Sequence, residues 1–337
     1  MSRTQTMHED DIRPRALLEE FFVRLGRDAD RLAAKRAHFV SVGCPFCGVP
    51  DVETAFEKQG FCYRLCPSCA SLFASPRPTP TQLREYVETS EAIEFWSTRF
   101  YRETADERRA QIFRPRAARV AAIADQHGLD RRAACADIGA GFGLFLLELA
   151  ALKRFGRIIA IEPDARLGSV CRAQGFDVVE RWIEDLKPDD LSVDVATAFE
   201  VLEHVFDPLA FIRAAAGTVR PGRLLFFSTL AASGFDIQTL WEHSRSVSPP
   251  QHLNFPSIDG ARSLVHRAGL EVVEITTPGQ LDVDIVRNRL EADPSLPVPR
   301  FARTIAGADN EVRSDFQRFL QRHRLSSHLQ CVARRPR

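Results

Sequence analysis

Residues 133–147 read Ala-Ala-Cys-Ala-Asp-Ile-Gly-Ala-Gly-Phe-Gly-Leu-Phe-Leu-Leu, and no other stretch restricts the fold as tightly. A short apolar run ends in an acid, three glycines follow at alternate positions, and an apolar segment begins at once. That order spells a buried strand, a tight turn and the start of a helix. Gly139, Gly141 and Gly143 let the backbone turn sharply and let a ligand approach where any Cβ would collide. A dinucleotide loop of the G-x-G-x-x-G kind would need its third glycine at 144, where the chain has Leu144. Asp137, just upstream of the first glycine, has no place in that pattern either.

From this turn onward strands and helices alternate. Strands are expected at 133–138, 157–161, 177–180, 193–199, 223–228 and 270–275, with helices at 143–152, 165–174, 207–219 and 257–268. Such alternation implies a parallel sheet covered on both faces, a doubly wound α/β fold. Glu162 ends the second of these strands. In a doubly wound fold an acid there can accept hydrogen bonds from both hydroxyls of a ribose.

The motif Asp137-x-Gly139-x-Gly141-x-Gly143 resembles the first motif of class I S-adenosylmethionine-dependent methyltransferases. Phe199-Glu-Val-Leu-Glu-His-Val-Phe-Asp-Pro208 resembles the segment after strand four in methyltransferases related to the ubiquinone-biosynthesis O-methyltransferases. The resemblance implies S-adenosyl-L-methionine as cofactor and a seven-stranded, Rossmann-like sheet in the order 3-2-1-4-5-7-6. Residues 329–333 would form the antiparallel last strand, preceded by an insertion at about 278–327. It also implies that Asp137, the three glycines, Glu162 and Phe199 bind the cofactor, with Ile183, Glu184 or Asp185 beside the adenine. Some members hold a divalent cation with two glutamates and a histidine, which Glu200, Glu203 and His204 match, and other relatives carry the motif with no known metal. His204 and His252 are candidate general bases. Each can also be read as a hydrogen-bonded structural histidine.

Upstream, Cys44-Pro-Phe-Cys47 and Cys66-Pro-Ser-Cys69 are two knuckles at two-residue spacing with eighteen residues between them. They can present Cys44, Cys47, Cys66 and Cys69 tetrahedrally to one zinc, as in a zinc ribbon, and four thiolates leave no open position for substrate. The zinc is therefore expected to be structural, within a ribbon at 39–75. Residues 1–38 read as a helical segment, amphipathic from 13 to 38. Residues 76–128 read as a connector crowded with Tyr86, Phe95, Trp96, Phe100 and Tyr101, either a lid over a substrate pocket or simple packing. The methyltransferase domain spans 129–337.

A ribbon followed by a methyltransferase domain resembles bacterial proteins associated with sugar or surface-polysaccharide modification, which implies a small-molecule or saccharide acceptor. Zinc-ribbon methyltransferases of ribosomal RNA share the two-part plan. Here 45 basic and 45 acidic residues give a formal net charge of zero, without the electrostatic footprint of a nucleic-acid binder. The polar start lacks a secretory signal, no run reaches the length of a membrane span, and a cytoplasmic location is expected.

Overall fold

The computed structural model describes residues 7–187 and 190–337. After helices at Glu9–Ile12 and Arg15–Ala33 come three short antiparallel strands, β1 (Glu53–Lys58), β2 (Phe61–Leu65) and β3 (Leu72–Ala74). Then follow β4 (Ala134–Ile138), β5 (Arg157–Ile161), β6 (Asp177–Val179), β7 (Val193–Phe199) and β8 (Val219–Leu230). The last three are β9 (Asn254–Phe255), β10 (Glu271–Thr276) and β11 (His328–Arg334).

The large sheet runs β6-β5-β4-β7-β8-β11-β10, the expected 3-2-1-4-5-7-6 order. Strand β11 enters antiparallel between β8 and β10. Every residue of β4 is buried, as a strand covered on both faces requires. Helices Leu144–Ala151, Ala165–Ala173, Pro208–Gly217 and Ile258–Arg267 provide the cover. Their starts follow local chemistry: Asp164, Asp207 and Ser257 each accept a backbone N–H at the cap. Strand β8 is longer than expected, because its first residue pairs with β7 ahead of the Pro221–Gly222 irregularity.

The ribbon sheet does not close on itself. Its fourth strand, β9, comes from the loop that follows β8, and Leu72 and Phe73 pair with Phe255 and Asn254. The Ser257 N–H donates to Ser71 Oγ over 3.0 Å, and the Ser257 hydroxyl donates to the Cys69 carbonyl, so the capped helix start is pinned to a cysteine knuckle. The boundary expected at residue 75 therefore divides the sequence but not the packing.

The connector helix begins at Pro80, capped by Thr79, whose hydroxyl accepts the Gln82 N–H while the Gln82 side chain accepts the Thr79 N–H. Farther on, π-helical turns at Trp96–Phe100 and Arg109–Phe113 interrupt the helical run. Residues 278–327 form helices Asp282–Ala292, Arg300–Ala306 and Asn310–Arg322 beside the sheet edge. Among the described residues no helix is long and apolar enough to cross a membrane.

Candidate active site

At the carboxyl end of β4 all three loop glycines adopt the left-handed conformation, with φ of 74°, 55° and 69°. An added Cβ at Gly139 would come within 2.8 Å of Val201, and one at Gly143 within 2.6 Å of the Gln174 side chain. Nothing lies within 4 Å of a Cβ placed on Gly141, so the loop leaves open space there. Glu162, at the end of β5, spans this loop. Its carboxylate accepts the Gly141 N–H at 2.8 Å and the Asp164 N–H at 3.0 Å. Burial raises the Glu162 carboxyl above its ordinary range, against those two backbone bonds. Asp137 accepts the Thr197 hydroxyl at 2.6 Å, and burial pushes its carboxyl up to about 7 despite that bond and the nearby Arg116 charge. A cationic group arriving beside Asp137 would reverse that cost.

A cavity of about 770 Å³ opens from this loop. Asp137, Gly139, Gly141 and Phe199 line one end, and Glu203, His204 and His252 line its wall. Trp96, Tyr101 and Arg108 of the connector, Phe21 and Phe22 of the N-terminal helix, and Leu281 and Asp282 of the insertion line it as well. The connector is thus both cover and packing: Trp96 stacks on Phe100 and Tyr101 stacks on Phe142 of the glycine loop.

Not every expected contact faces this space. Gly143, Glu162, Ile183 and Glu184 are outside the lining set. Ile183 is buried in the core below the sheet, and Glu184 is exposed. Phe199 packs edge-on between Phe145 and Phe226, with the Arg116 guanidinium 4.5 Å above its ring.

The two expected base candidates lie together, ring centres 5.1 Å apart. His204 Nδ1 is 2.8 Å from the Gln251 carbonyl, and His252 Nδ1 is 2.7 Å from the Ser246 carbonyl, so both Nδ1 atoms carry protons. Burial lowers both rings and takes His252 down to about 3, with the His204 charge acting in the same direction. Neutral imidazoles follow, with their Nε2 atoms left as acceptors.

The cation set expected at Glu200, Glu203 and His204 does not assemble. Glu203, His204 and His252 bring donor atoms within 4.8 Å of one another, whereas Glu200 turns away. Its carboxylate accepts the Ser228 hydroxyl at 2.5 Å and His328 Nε2 at 2.8 Å, with Arg116 at 3.5 Å. The two-glutamate arrangement does not fit these side chains, since Glu200 is committed elsewhere and Glu203 accepts the Thr229 hydroxyl at 2.7 Å.

Sequence reasoning missed Arg116 and His328. His328 had a readable signal: it opens an antiparallel strand, so it falls at the same sheet edge as the carboxyl ends of the parallel strands. Arg116 had none, because it sits within an arginine-rich helix with no distinguishing spacing.

In the ribbon, the Cys44 and Cys69 sulfurs are 3.6 Å apart, those of Cys47 and Cys66 are 3.5 Å apart, and all four lie within 4.8 Å. One zinc with Zn–S bonds of about 2.3 Å requires sulfurs at roughly this separation. The four thiols fit the group.

Fold, glycine loop and cavity together define a class I S-adenosylmethionine-dependent methyltransferase. A family profile for a methyltransferase domain matches residues 105–275, just over half of the chain, and the chain belongs to that family. Over 99 residues it is 40% identical to a ubiquinone biosynthesis O-methyltransferase of Xanthomonas campestris, covering 28% of this chain and 41% of that protein. The same enzyme of Xanthomonas axonopodis is 39% identical over 99 residues, with the same coverage. The chain thus matches about two fifths of the length of these curated relatives. An S-adenosylmethionine-dependent methyltransferase from Clostridium acetobutylicum, known from its crystal structure, shares 10% identity over 70% of this chain and 99% of that one, with a TM-score of 0.47.

Proposed function

We propose that this methyltransferase modifies a hydroxyl or carbon acid of a small-molecule or saccharide-type acceptor. The observation that carries the reading is one cavity lined by the glycine loop, by the half-buried His204 and His252 and by aromatic side chains of the connector. A cavity of about 770 Å³ is of the size that takes a compact acceptor. Bound S-adenosylmethionine supplies a methyl group already activated on a sulfonium. The chain's task is to align the acceptor with that methyl and to keep water away.

Asp137 is assigned to the cationic methionine end of the donor and Glu162 to its ribose hydroxyls. Gly139, Gly141 and Gly143 give the backbone its close approach, Phe199 packs at the methyl end, and Ile183 and Glu184 are assigned beside the adenine. His204 and His252, both neutral, are assigned to acceptor binding through their Nε2 atoms. Cys44, Cys47, Cys66 and Cys69 are assigned to one structural zinc, which would stabilise the ribbon and, through β9, the histidine loop.

The identity to ubiquinone biosynthesis O-methyltransferases favours a second acceptor class, a quinone-type phenol. One experiment separates the two. Purified protein is supplied with S-adenosylmethionine and, in parallel, nucleotide sugars, polyhydroxylated aromatics and short RNAs, and formation of S-adenosylhomocysteine is followed. Turnover with sugars supports the first reading and turnover with phenols the second. Turnover with RNA alone contradicts both.

A further inference from the structure

Three histidines line the cavity, and the one with a carboxylate partner is not among those the sequence singles out. His328 stands at the first position of β11, paired with Leu230 of β8. Its Nε2 lies 2.8 Å from the Glu200 carboxylate. Glu200 is in turn fixed by the Ser228 hydroxyl at 2.5 Å, and the Arg116 guanidinium stands 3.5 Å from the same oxygen. Both members keep access to the cavity, with a quarter of the His328 side chain and about a third of the Glu200 side chain exposed. No hydrogen bond engages His328 Nδ1 among the described residues, whereas the Nδ1 atoms of His204 and His252 are tied to backbone carbonyls.

The backbone marks the same place. Glu200 has a φ of 57°, left-handed for a residue with a full side chain, and it sits where β7 delivers Phe199 to the cavity. A strained residue of this kind persists only where its surroundings over-determine it. Here the Glu200 N–H donates to the Ser228 carbonyl at 3.1 Å, so strand β8 holds both its main chain and its carboxylate. Burial alone would raise the Glu200 carboxyl, but the charge and hydrogen bond of His328, together with Arg116 and Ser228, hold it well below the usual carboxylate range. The carboxylate is therefore ionised and stands as the acceptor that His328 Nε2 faces, beside Arg116, whose Nη2 lies 3.5 Å from the same ring nitrogen.

We propose that His328 is the catalytic base of this methyltransferase, with Glu200 as its positioning residue. The inference rests on the acceptor being a hydroxyl or carbon acid. In the step, the acceptor O–H or C–H bond breaks and its proton goes to His328 Nδ1. The electron pair released forms the bond to the methyl carbon. The S–CH3 bond breaks with its pair remaining on sulfur, so the sulfonium becomes a neutral thioether and the ring an imidazolium paired with the Glu200 carboxylate. Carboxylate support of this kind fixes both tautomer and ring orientation. An amine acceptor, which reaches the site with its own lone pair, would need this base far less.

The first test needs no acceptor. Protein labelled with nitrogen-15 in its histidines is saturated with S-adenosylhomocysteine, and the ring signals of the neutral imidazoles are recorded, with His328→Gln and His328→Asn assigning the resonance. The expected result is a His328 ring protonated at Nε2 and bare at Nδ1, with that preference lost in Glu200→Gln. A proton on Nδ1, or a tautomer indifferent to Glu200→Gln, overturns the proposal. Binding of S-adenosylhomocysteine is measured on the same samples, so failure of the donor site is seen separately. With any acceptor that turns over, His328→Asn should lower kcat by about 100-fold or more, the usual range for loss of a general base, while donor affinity stays within a few fold. Wild-type turnover in that variant overturns the proposal.

Discussion

Arg77 donates through Nη1 to the side-chain carbonyl of Asn254 over 2.9 Å, and this bond ties the ribbon's exit to β9. Arg77 is fully buried between two prolines, and it also donates to the Ala74 and Phe206 carbonyls. Asn254 passes the connection on, donating through Nδ2 to the Leu202 and Val205 carbonyls on either side of Glu203 and His204. A buried guanidinium is costly unless its donors are matched. Here Nε and Nη1 are matched by carbonyls drawn from the ribbon exit, the post-β7 loop and β9, while Nη2 finds no hydrogen-bond partner among the described residues. The loop bearing Glu203 and His204 is therefore tied to the ribbon's exit as well as to its own domain.

Asn254→Ala removes the middle of that chain and leaves the Leu202 and Val205 carbonyls without their donor. The expected loss is about 2–4 kcal/mol of stability, the range for orphaning more than one buried polar group. Urea unfolding followed by tryptophan fluorescence checks it, and a midpoint equal to wild type would contradict the connection.

Zinc removal should act beyond the ribbon. Because β9 pairs with β3, loss of the metal or a Cys66→Ser substitution is expected to speed amide exchange at residues 253–257 as well as at 44–74. Small metal-held units take much of their folding free energy from the ion. Hydrogen-exchange mass spectrometry before and after chelation reads the effect, with metal analysis expected to find one zinc per chain beforehand. Unchanged exchange at 253–257 would separate the two units.

Donor binding should release a proton near neutrality. In the free protein burial pushes the Asp137 carboxyl up to about 7, so it is partly protonated there. An ammonium beside it favours the carboxylate and lowers that value, hence affinity for S-adenosylmethionine rises with pH through about 7 and levels off above. Calorimetry in buffers of different ionisation enthalpy measures the proton count at pH 6.5, and Asp137→Asn should abolish it. A wild-type count of zero would contradict the assignment.

Glu162→Ala should weaken donor binding by about 1–3 kcal/mol, the cost of losing hydrogen bonds to a charged acceptor. Because Glu162 also accepts the Gly141 N–H, circular dichroism and the unfolding midpoint are needed alongside the titration. An unchanged affinity would remove the ribose assignment.

The sheet was readable because its signals are local. Three alternating glycines after a buried run, Asp207 and Ser257 before helices, and the apolar stretch at 329–333 each specify their own element, and the strand order follows from the family they resemble. Where chain ends far apart in sequence meet, local signals fail. Nothing near Asn254 announces pairing with Phe73, and nothing near Glu200 announces that Ser228 and His328 will claim its carboxylate. Glu200 stands apart from Glu203 and His204 for that reason: spacing along one loop says where side chains start, not which neighbours on β8 and β11 compete for them. His252 joined His204 through tertiary packing alone.

Equilibrium titration of purified, zinc-loaded protein with S-adenosylmethionine and S-adenosylhomocysteine tests directly whether the glycine loop binds the methyl donor. Saturable binding of one molecule per chain, competitive between the two ligands, is expected. A folded protein that binds neither at millimolar concentration would contradict it.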